Sequence, residues 1–547
     1  MFEWLNNESL RFLEEGYLIG KISAEDRIRE IAEAAERILN INGFADQFYE
    51  NMGKGWYSLS SPVWANFGTP RGLPISCFNS HISDSMDSIL DAAKEVGVMT
   101  QKGGGTSGYF GEIRGYGEPI TNAGYSDGSV NFMRLYNTLV DVTKQSGVRR
   151  GSFAAYLPID HKDIHDFLNI KKEGNPIQNM FTGVCISDDW MNEMIDGNPQ
   201  HRKTWVEVLK TRCEIGMPYL FFTDNVNNNT VDVFKDFGLK IRSSNLCSEI
   251  MLPSNEDNSF VCDLSSLNLA KYDEWKDSNA VEIMTFFLDA VMTEFIGKAQ
   301  SVRGMERAVN FAKNFRALGI GVLGWHDLLQ SKMLAVDSVA TYGLNNEIFK
   351  NIKERSYEAS AKLFNMYPEN ISNYMKNYGR MNATLIAIAP TTSSSFILGQ
   401  TSQSIEPLRS NYYVKDLAKG KMTIKNKHLN AYLDDNNLNS DEIWKSILQN
   451  NGSVQHLKLP QEVKDVFLTF DEISQLTIIN QAAQRQKHID QGQSLNLMIH
   501  PDTPLKEINQ LYITGWREGV KTFYYQHSLN AAQKLAQSLV TCKSCEG

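Results

Sequence analysis

An α/β fold is predicted for this chain, and three observations predict it. Helical stretches and short apolar stretches alternate toward the C-terminus, the helical ones are amphipathic, and length permits a large buried core. At 547 residues the chain suits three to four domain equivalents or one oversized α/β domain with appendages. Hydrophobic residues make 42% and charged residues 22%, the balance of a soluble globular protein. No stretch approaches the roughly 18 consecutive apolar residues of a membrane span.

The first ten residues carry Glu3, Asn6, Asn7 and Glu8 where a secretory signal needs a basic start and an apolar run. A reducing, cytoplasmic setting is therefore expected, in which seven cysteines, an odd number, read as thiols rather than a disulfide framework. A net charge of −10 argues against a broad nucleic-acid-binding surface.

Ser23-Ala24-Glu25-Asp26 resembles a capping box, and Ile28, Ile31, Ala32, Ala35, Ile38 and Leu39 follow at helical spacing until Gly43 ends the segment. A second helix is expected over 84–96, with Met86, Ile89, Leu90 and Ala93 on one face, stopping at Gly103-Gly104-Gly105. Residues 385–389 and 519–525 read as short apolar strands, and 430–452, rich in Asn, Asp and Ser, as a polar insertion or exposed subdomain. There is no internal repeat. The segment after 530 has few large apolar side chains to anchor it, so a mobile end is expected.

Chemistry gathers at the cysteines. In an extended segment, Asn245, Cys247 and Glu249 of Asn245-Leu246-Cys247-Ser248-Glu249 would share one face, placing a thiol, an amide and a carboxylate around one volume. Taken alone, the triplet reads as a small buried hydrophobe beside a surface charge. Cys542-Lys543-Ser544-Cys545 serves either thiol exchange or half a zinc site. No second Cys-x-x-Cys or His-x-x-x-His supplies the other ligands, so exchange is preferred and no metal is assigned. Pro390-Thr391-Thr392-Ser393-Ser394-Ser395 follows an apolar run, as a phosphate-holding turn or an ordinary N-cap would. Gly103-Gly104-Gly105-Thr106-Ser107-Gly108 lacks the Gly-Lys-Ser/Thr ending of a P-loop. Tyr524-Tyr525 alone reads as two strand residues on opposite faces.

As a set, these motifs resemble the large (α) subunit of a class I ribonucleotide reductase. The resemblance runs from about Ser58 to the end and includes Thr69-Pro70-Arg71 with Ile75-Ser76-Cys77, Asp84-Ser85-Met86-Asp87-Ser88-Ile89, Ser146-Gly147-Val148-Arg149, Ile405-Glu406-Pro407 and Lys521-Thr522-Phe523-Tyr524-Tyr525-Gln526. It implies a ten-stranded α/β barrel of two five-stranded half-sheets around a finger loop. The implied division is a short helical segment over 1–57 without a complete ATP-cone, a barrel domain over 58–529 with a polar insertion near 410–470, and a redox tail over 530–547.

The resemblance assigns Cys247 as the thiyl that takes the ribose 3′ hydrogen of a ribonucleoside diphosphate, Glu249 as proton acceptor and Asn245 as partner of the ribose hydroxyls. Cys77 and Cys262 match the pair that is oxidised to a disulfide, and Cys542 and Cys545 the tail dithiol that reduces it. Tyr524 and Tyr525 match a radical relay from a metal-bearing small subunit, so no tightly bound cofactor is expected in this chain. Ser61, Ser76, Gly105, Thr391, Thr392, Ser393, Ser394 and Ser395 match the substrate site.

Asp84, Ser85, Met86 and Arg114 match an allosteric site for a deoxynucleoside triphosphate or ATP, with Mg2+ accompanying the nucleotide. Gln145 and Arg149 match the loop that reports effector identity. Thr121 departs from relatives that carry a second phosphate-binding arginine, and the short N-terminus implies no dATP shut-off through a cone. Implied partners are the small subunit, thioredoxin or glutaredoxin, and a second copy in a homodimer. Neither a membrane nor nucleic acid is expected. The rival within the family is an adenosylcobalamin-dependent class II enzyme; outside it, a regulatory nucleotide-binding thiol carrier. Cys185 and Cys213 match no reactive position and read as packing residues.

Overall fold

The computed structural model describes residues 1–18, 20, 22–145, 149–417 and 420–528. The expected tail dithiol, Cys542 and Cys545, lies outside the described residues. Nine strands form the central sheet: β1 (Tyr57–Leu59), β2 (Cys77–Ser80), β3 (Gly105–Tyr109), β4 (Phe153–Pro158), β5 (Phe181–Ile186), β6 (Tyr219–Phe222), β7 (Phe260–Asn268), β8 (Leu318–Leu323) and β9 (Thr522–Phe523).

Strands β2 to β6 run parallel in chain order, and β9 joins β6 antiparallel. Parallel strands covered on both faces need apolar side chains throughout, as the buried run Phe-Thr-Gly-Val-Cys-Ile of β5 illustrates. β7 joins two half-sheets: its start, Phe260–Cys262, pairs antiparallel with β2, and Ser265–Leu267 pairs with β1. Along the opposite edge of β7 lies β8, parallel to it. Single bridges Ile320↔Ile386 and Ile388↔Gln493 carry the curl onward, and the Thr522 hydroxyl donates to the Gln493 carbonyl at 3.3 Å, returning the wall to β9.

This is the expected α/β barrel fold, but its sheet has nine strands among the described residues rather than ten, and 519–525 contributes only the two-residue β9. Residues 385–389 make isolated bridges rather than a continuous ladder, because the Asp490 carboxylate takes the N–H groups of Leu385 at 2.8 Å and Ile386 at 3.3 Å.

Ala24–Leu39 is the first long helix, and Ser23 caps it by accepting from Asp26 N at 3.0 Å. It ends at Asn40, in the left-handed conformation, rather than at Gly43, which instead precedes the next helix, Phe44–Gly53. Helix Met86–Gln101 runs longer than expected and buries Ile89, Ala92, Ala93, Val96 and Met99. Met86 and Leu90 are 55% and 50% exposed, so the buried face is rotated from the one read off the sequence.

Helix Ala280–Ala299 is apolar around most of its circumference, which suits its place between the N-terminal helices and β7 and β8. The first helix, Asn7–Gly16, lies on the hydroxyl loop: Phe12 packs on Phe396 at 5.3 Å between ring centroids, and Ser9 Oγ donates to the Phe396 carbonyl at 3.3 Å. The polar insertion closes over its own apolar cluster, which includes Leu429, Trp444, Ile447, Val463 and Phe467. No helix among the described residues is long and apolar enough to cross a membrane.

Candidate active site

A tight turn at residues 245–250 projects into the barrel. Asn245 N donates to the Ile250 carbonyl at 3.1 Å, Ser248 N donates to the Asn245 carbonyl at 3.3 Å, and Ser248 has φ of 67°. Asn245 and Glu249 therefore meet through a chain reversal that carries Cys247 at its turn, not through the strand alternation that the sequence suggested. Asn245 organises the turn: its Oδ1 accepts from Ile250 N at 3.0 Å, and its Nδ2 donates to Glu249 Oε1 at 3.0 Å and to Cys77 Sγ at 3.5 Å.

The barrel wall holds this loop from several sides. Tyr156 on β4 donates to the Asn245 carbonyl at 2.9 Å, and Thr522 on β9 donates to the Ser248 carbonyl at 3.1 Å. Ser494 Oγ donates to the Cys247 carbonyl at 2.6 Å and to Glu249 Oε2 at 3.0 Å. Gly492 N donates to the Glu249 carbonyl at 2.8 Å. A Cβ at Gly492 would meet the end of the Met251 side chain and lie 3.2 Å from the Glu249 carbonyl, so a larger residue there would make Met251 give way.

Cys77 and Cys262 are buried free thiols on directly paired positions of β2 and β7. Opposed residues of an antiparallel pair present side chains to one face at a Cα separation of about 4.5–5.5 Å, inside the range that a disulfide spans. Gln491 Nε2 donates to Cys262 Sγ at 3.6 Å, while Asn245 reaches Cys77. One continuous network thus runs from Glu249 through Asn245 to the thiol pair.

Burial pushes both thiols well above the ordinary cysteine range, and the Glu249 charge adds to the effect. Both are therefore held as protonated thiols. Burial likewise lifts the Glu249 carboxyl to about 7, against hydrogen bonds from Asn245 and Ser494 that favour its charged form. A carboxyl balanced there exchanges a proton readily at neutral pH.

Tyr524 and Tyr525 follow β9, where the chain leaves the ladder. Their backbone N–H groups go to the Leu495 carbonyl at 2.9 Å and to Asn496 Oδ1 at 3.0 Å. Freed from strand alternation, the rings lie against each other with centroids 4.2 Å apart. Tyr219 of β6 packs on both, at 4.7 Å from Tyr524 and 5.3 Å from Tyr525.

Further out, Thr391 precedes the short helix Thr392–Ile397, and its hydroxyl bonds that of Ser395 at 2.8 Å. Thr392 donates to Gln403, and Ser58 of β1 donates to the Ser394 carbonyl at 2.8 Å, which brings the Ser61 segment beside this loop. Gly105 N donates to the Ser76 carbonyl at 2.7 Å next to Cys77, so Ser76 and Gly105 flank the thiol pair.

A separate surface cluster joins Asp84, Ser85, Met86 and Arg114. Arg114 Nε donates to Asp84 Oδ2 at 2.7 Å, and Ser85 caps helix Met86–Gln101. Gln145 and Arg149 are paired in register in a two-residue ladder. Cys185 is buried on β5, and the Cys213 sulfur accepts from Gln526 Nε2 at 3.2 Å.

Ser494, Gln491, Tyr156 and Tyr219 escaped the sequence reading. Each sits in a segment that reads as core or loop, and none belongs to a spaced motif.

The family model described as ribonucleotide reductase, barrel domain, matches residues 75–202, 195–367 and 365–526. The ribonucleoside-diphosphate reductase large subunit of Invertebrate iridescent virus 3 is 32% identical over 591 residues, covering 92% of each chain. Large chain 2 of Saccharomyces cerevisiae ribonucleoside-diphosphate reductase is 28% identical over 89% of this chain and 65% of its own length. The solved Actinobacillus ureae class Id ribonucleotide reductase alpha subunit is 51% identical, covers 97% of this chain and 98% of its own, and superposes with a TM-score of 0.92.

Proposed function

The chain belongs to the ribonucleotide reductase large-subunit family, and from that premise we propose that it is the catalytic subunit that reduces ribonucleoside diphosphates to 2′-deoxyribonucleoside diphosphates. It is a class I enzyme, working with a separate small subunit that supplies the radical. The likeness to a class I alpha subunit disfavours the cobalamin-dependent alternative. The observation that carries the reading is the opposition of Cys77 and Cys262 across β2 and β7, with Asn245 of the Cys247 loop hydrogen-bonded to Cys77.

The radical passes through Tyr525 and Tyr524 to Cys247. The Cys247 thiyl takes the 3′ hydrogen of the ribose, Glu249 accepts the 3′-hydroxyl proton, and Asn245 hydrogen-bonds the ribose hydroxyls. The protonated 2′-hydroxyl leaves as water, with Cys77 and Cys262 supplying two electrons and two protons as they close to a disulfide. Return of the 3′ hydrogen from Cys247 restores its thiyl. The net change is one C–O bond exchanged for C–H, one water released and one disulfide formed.

Thr391, Thr392, Ser393, Ser394 and Ser395 hold the substrate phosphates, with Ser61, Ser76 and Gly105 completing the pocket. Cys542 and Cys545 reduce the buried disulfide by thiol exchange and are restored by thioredoxin or glutaredoxin. Asp84, Ser85, Met86 and Arg114 take a deoxynucleoside triphosphate or ATP with Mg2+ at the interface of a homodimer, and Gln145 and Arg149 relay its identity. Residues 1–57 form a short helical segment packed on the barrel domain of 58–529, which carries the insertion near 410–470 and is followed by the tail of 530–547.

The test is an assay of the full chain with its small subunit, CDP, an effector and dithiothreitol. dCDP is expected, and its formation must require the small subunit. Activity with adenosylcobalamin and no small subunit would overturn the class.

A further inference from the structure

Tyr219 is fully buried on β6, and its hydroxyl has no well-aligned hydrogen-bond partner among the described residues, although the Tyr525 phenol lies within hydrogen-bonding reach. An orphaned buried hydroxyl is unfavourable by roughly 1–3 kcal/mol, and a phenylalanine would fill the same space without it. The strand itself demonstrates this, since Leu220, Phe221 and Phe222 follow as fully buried apolar residues. The Tyr219 ring touches the rings of both Tyr524 and Tyr525. After burial itself, the group that acts most strongly on its phenol is Tyr525, with Cys247 also within electrostatic reach.

We propose that Tyr219 is a positioning residue for radical transfer: its ring wedges Tyr524 against Tyr525, and its hydroxyl is the hydrogen-bond donor that Tyr525 takes up when oxidised. This deepens the function proposed above and rests on it. Tyr219 keeps its own electron and proton throughout, so it acts through Tyr525 and is not itself a carrier. A hydroxyl that faces Tyr525 and is not bonded elsewhere among the described residues suits this role, because a donor bonded to another group would have to break that bond at each turnover.

The test uses the full chain with its small subunit, CDP and effector, comparing wild type with Tyr219→Phe. Loss of one hydrogen bond predicts a fall in kcat of about three- to tenfold with an unchanged KM for CDP. With 3-aminotyrosine at position 525, the trapped radical in Tyr219→Phe should lose an exchangeable-proton coupling present in wild type. Wild-type kcat together with a retained coupling overturns the proposal. Tyr219→Leu, which removes the ring, should trap little radical at 525 while still binding CDP; undiminished trapping overturns the wedge. Absence of dCDP from the wild-type mixture would instead refute the proposed function, a result separable from any failure of the Tyr219 variants.

Discussion

Cys77 on β2 and Cys262 on β7 stand directly opposite each other in antiparallel register, at the point where the two half-sheets meet. Paired strands fix both backbones, so a disulfide forms here with little backbone movement. Pre-reduced protein given CDP and the small subunit but no reductant should make about two dCDP per active site, one from the Cys77–Cys262 pair and one from the tail dithiol that re-reduces it. Peptide mapping should then find Cys77 joined to Cys262. Either cysteine changed to serine should abolish this burst, and a burst with both thiols still free would disprove the assignment.

Glu249 sets the pH dependence. Burial raises its carboxyl from 4.5 to about 7, so the folded protein holds this proton more tightly than the unfolded chain. The associated stability is fully present below the unfolded value and is lost as pH rises through about 7. With the carboxylate as the proposed proton acceptor, activity runs the opposite way: kcat should rise through that region. Glu249→Gln should lower kcat by about 10²–10⁴-fold and remove this limb. Ser494→Ala should move it to higher pH, since the Ser494 hydroxyl favours the charged form. A profile flat from pH 6 to 8 in wild type (roughly a unit either side of neutral) contradicts the role.

Tyr524→Phe keeps the stack with Tyr525 and Tyr219 but removes an oxidisable phenol. dCDP formation should fall to background while CDP and effector binding stay at wild-type levels. Full activity would mean that the radical enters by another route.

The tail dithiol separates two reductants. Cys542→Ser should stop thioredoxin-driven turnover after the first cycle yet leave dithiothreitol-driven turnover largely intact. Loss of the first turnover as well would show that the tail does more than shuttle electrons.

Much of the site was legible because its chemistry needs particular residues at particular spacings. The Asn-x-Cys-x-Glu triplet and the hydroxyl run survive as patterns in one dimension. The pairing of Cys77 with Cys262 is a three-dimensional fact, set by strand register between segments far apart in sequence. The turn at Ser248 was hidden because positive φ has no marker when the residue is not glycine, so the triplet looked extended. Ser494 and Gln491 were invisible for a similar reason: each reaches the site from a loop more than 200 residues after the sulfur or carboxylate it contacts. The exposure of Met86 and Leu90 shows that apolar periodicity finds a helix more reliably than it finds the buried side.

The account depends most on the Cys247 sulfur, and Cys247→Ser tests it most directly. In the full mixture of small subunit, effector, CDP and dithiothreitol, this variant should bind CDP as wild type does and form no dCDP. Deoxycytidine diphosphate produced by the serine protein at any rate above background would contradict the assignment of the sugar-oxidising radical to Cys247.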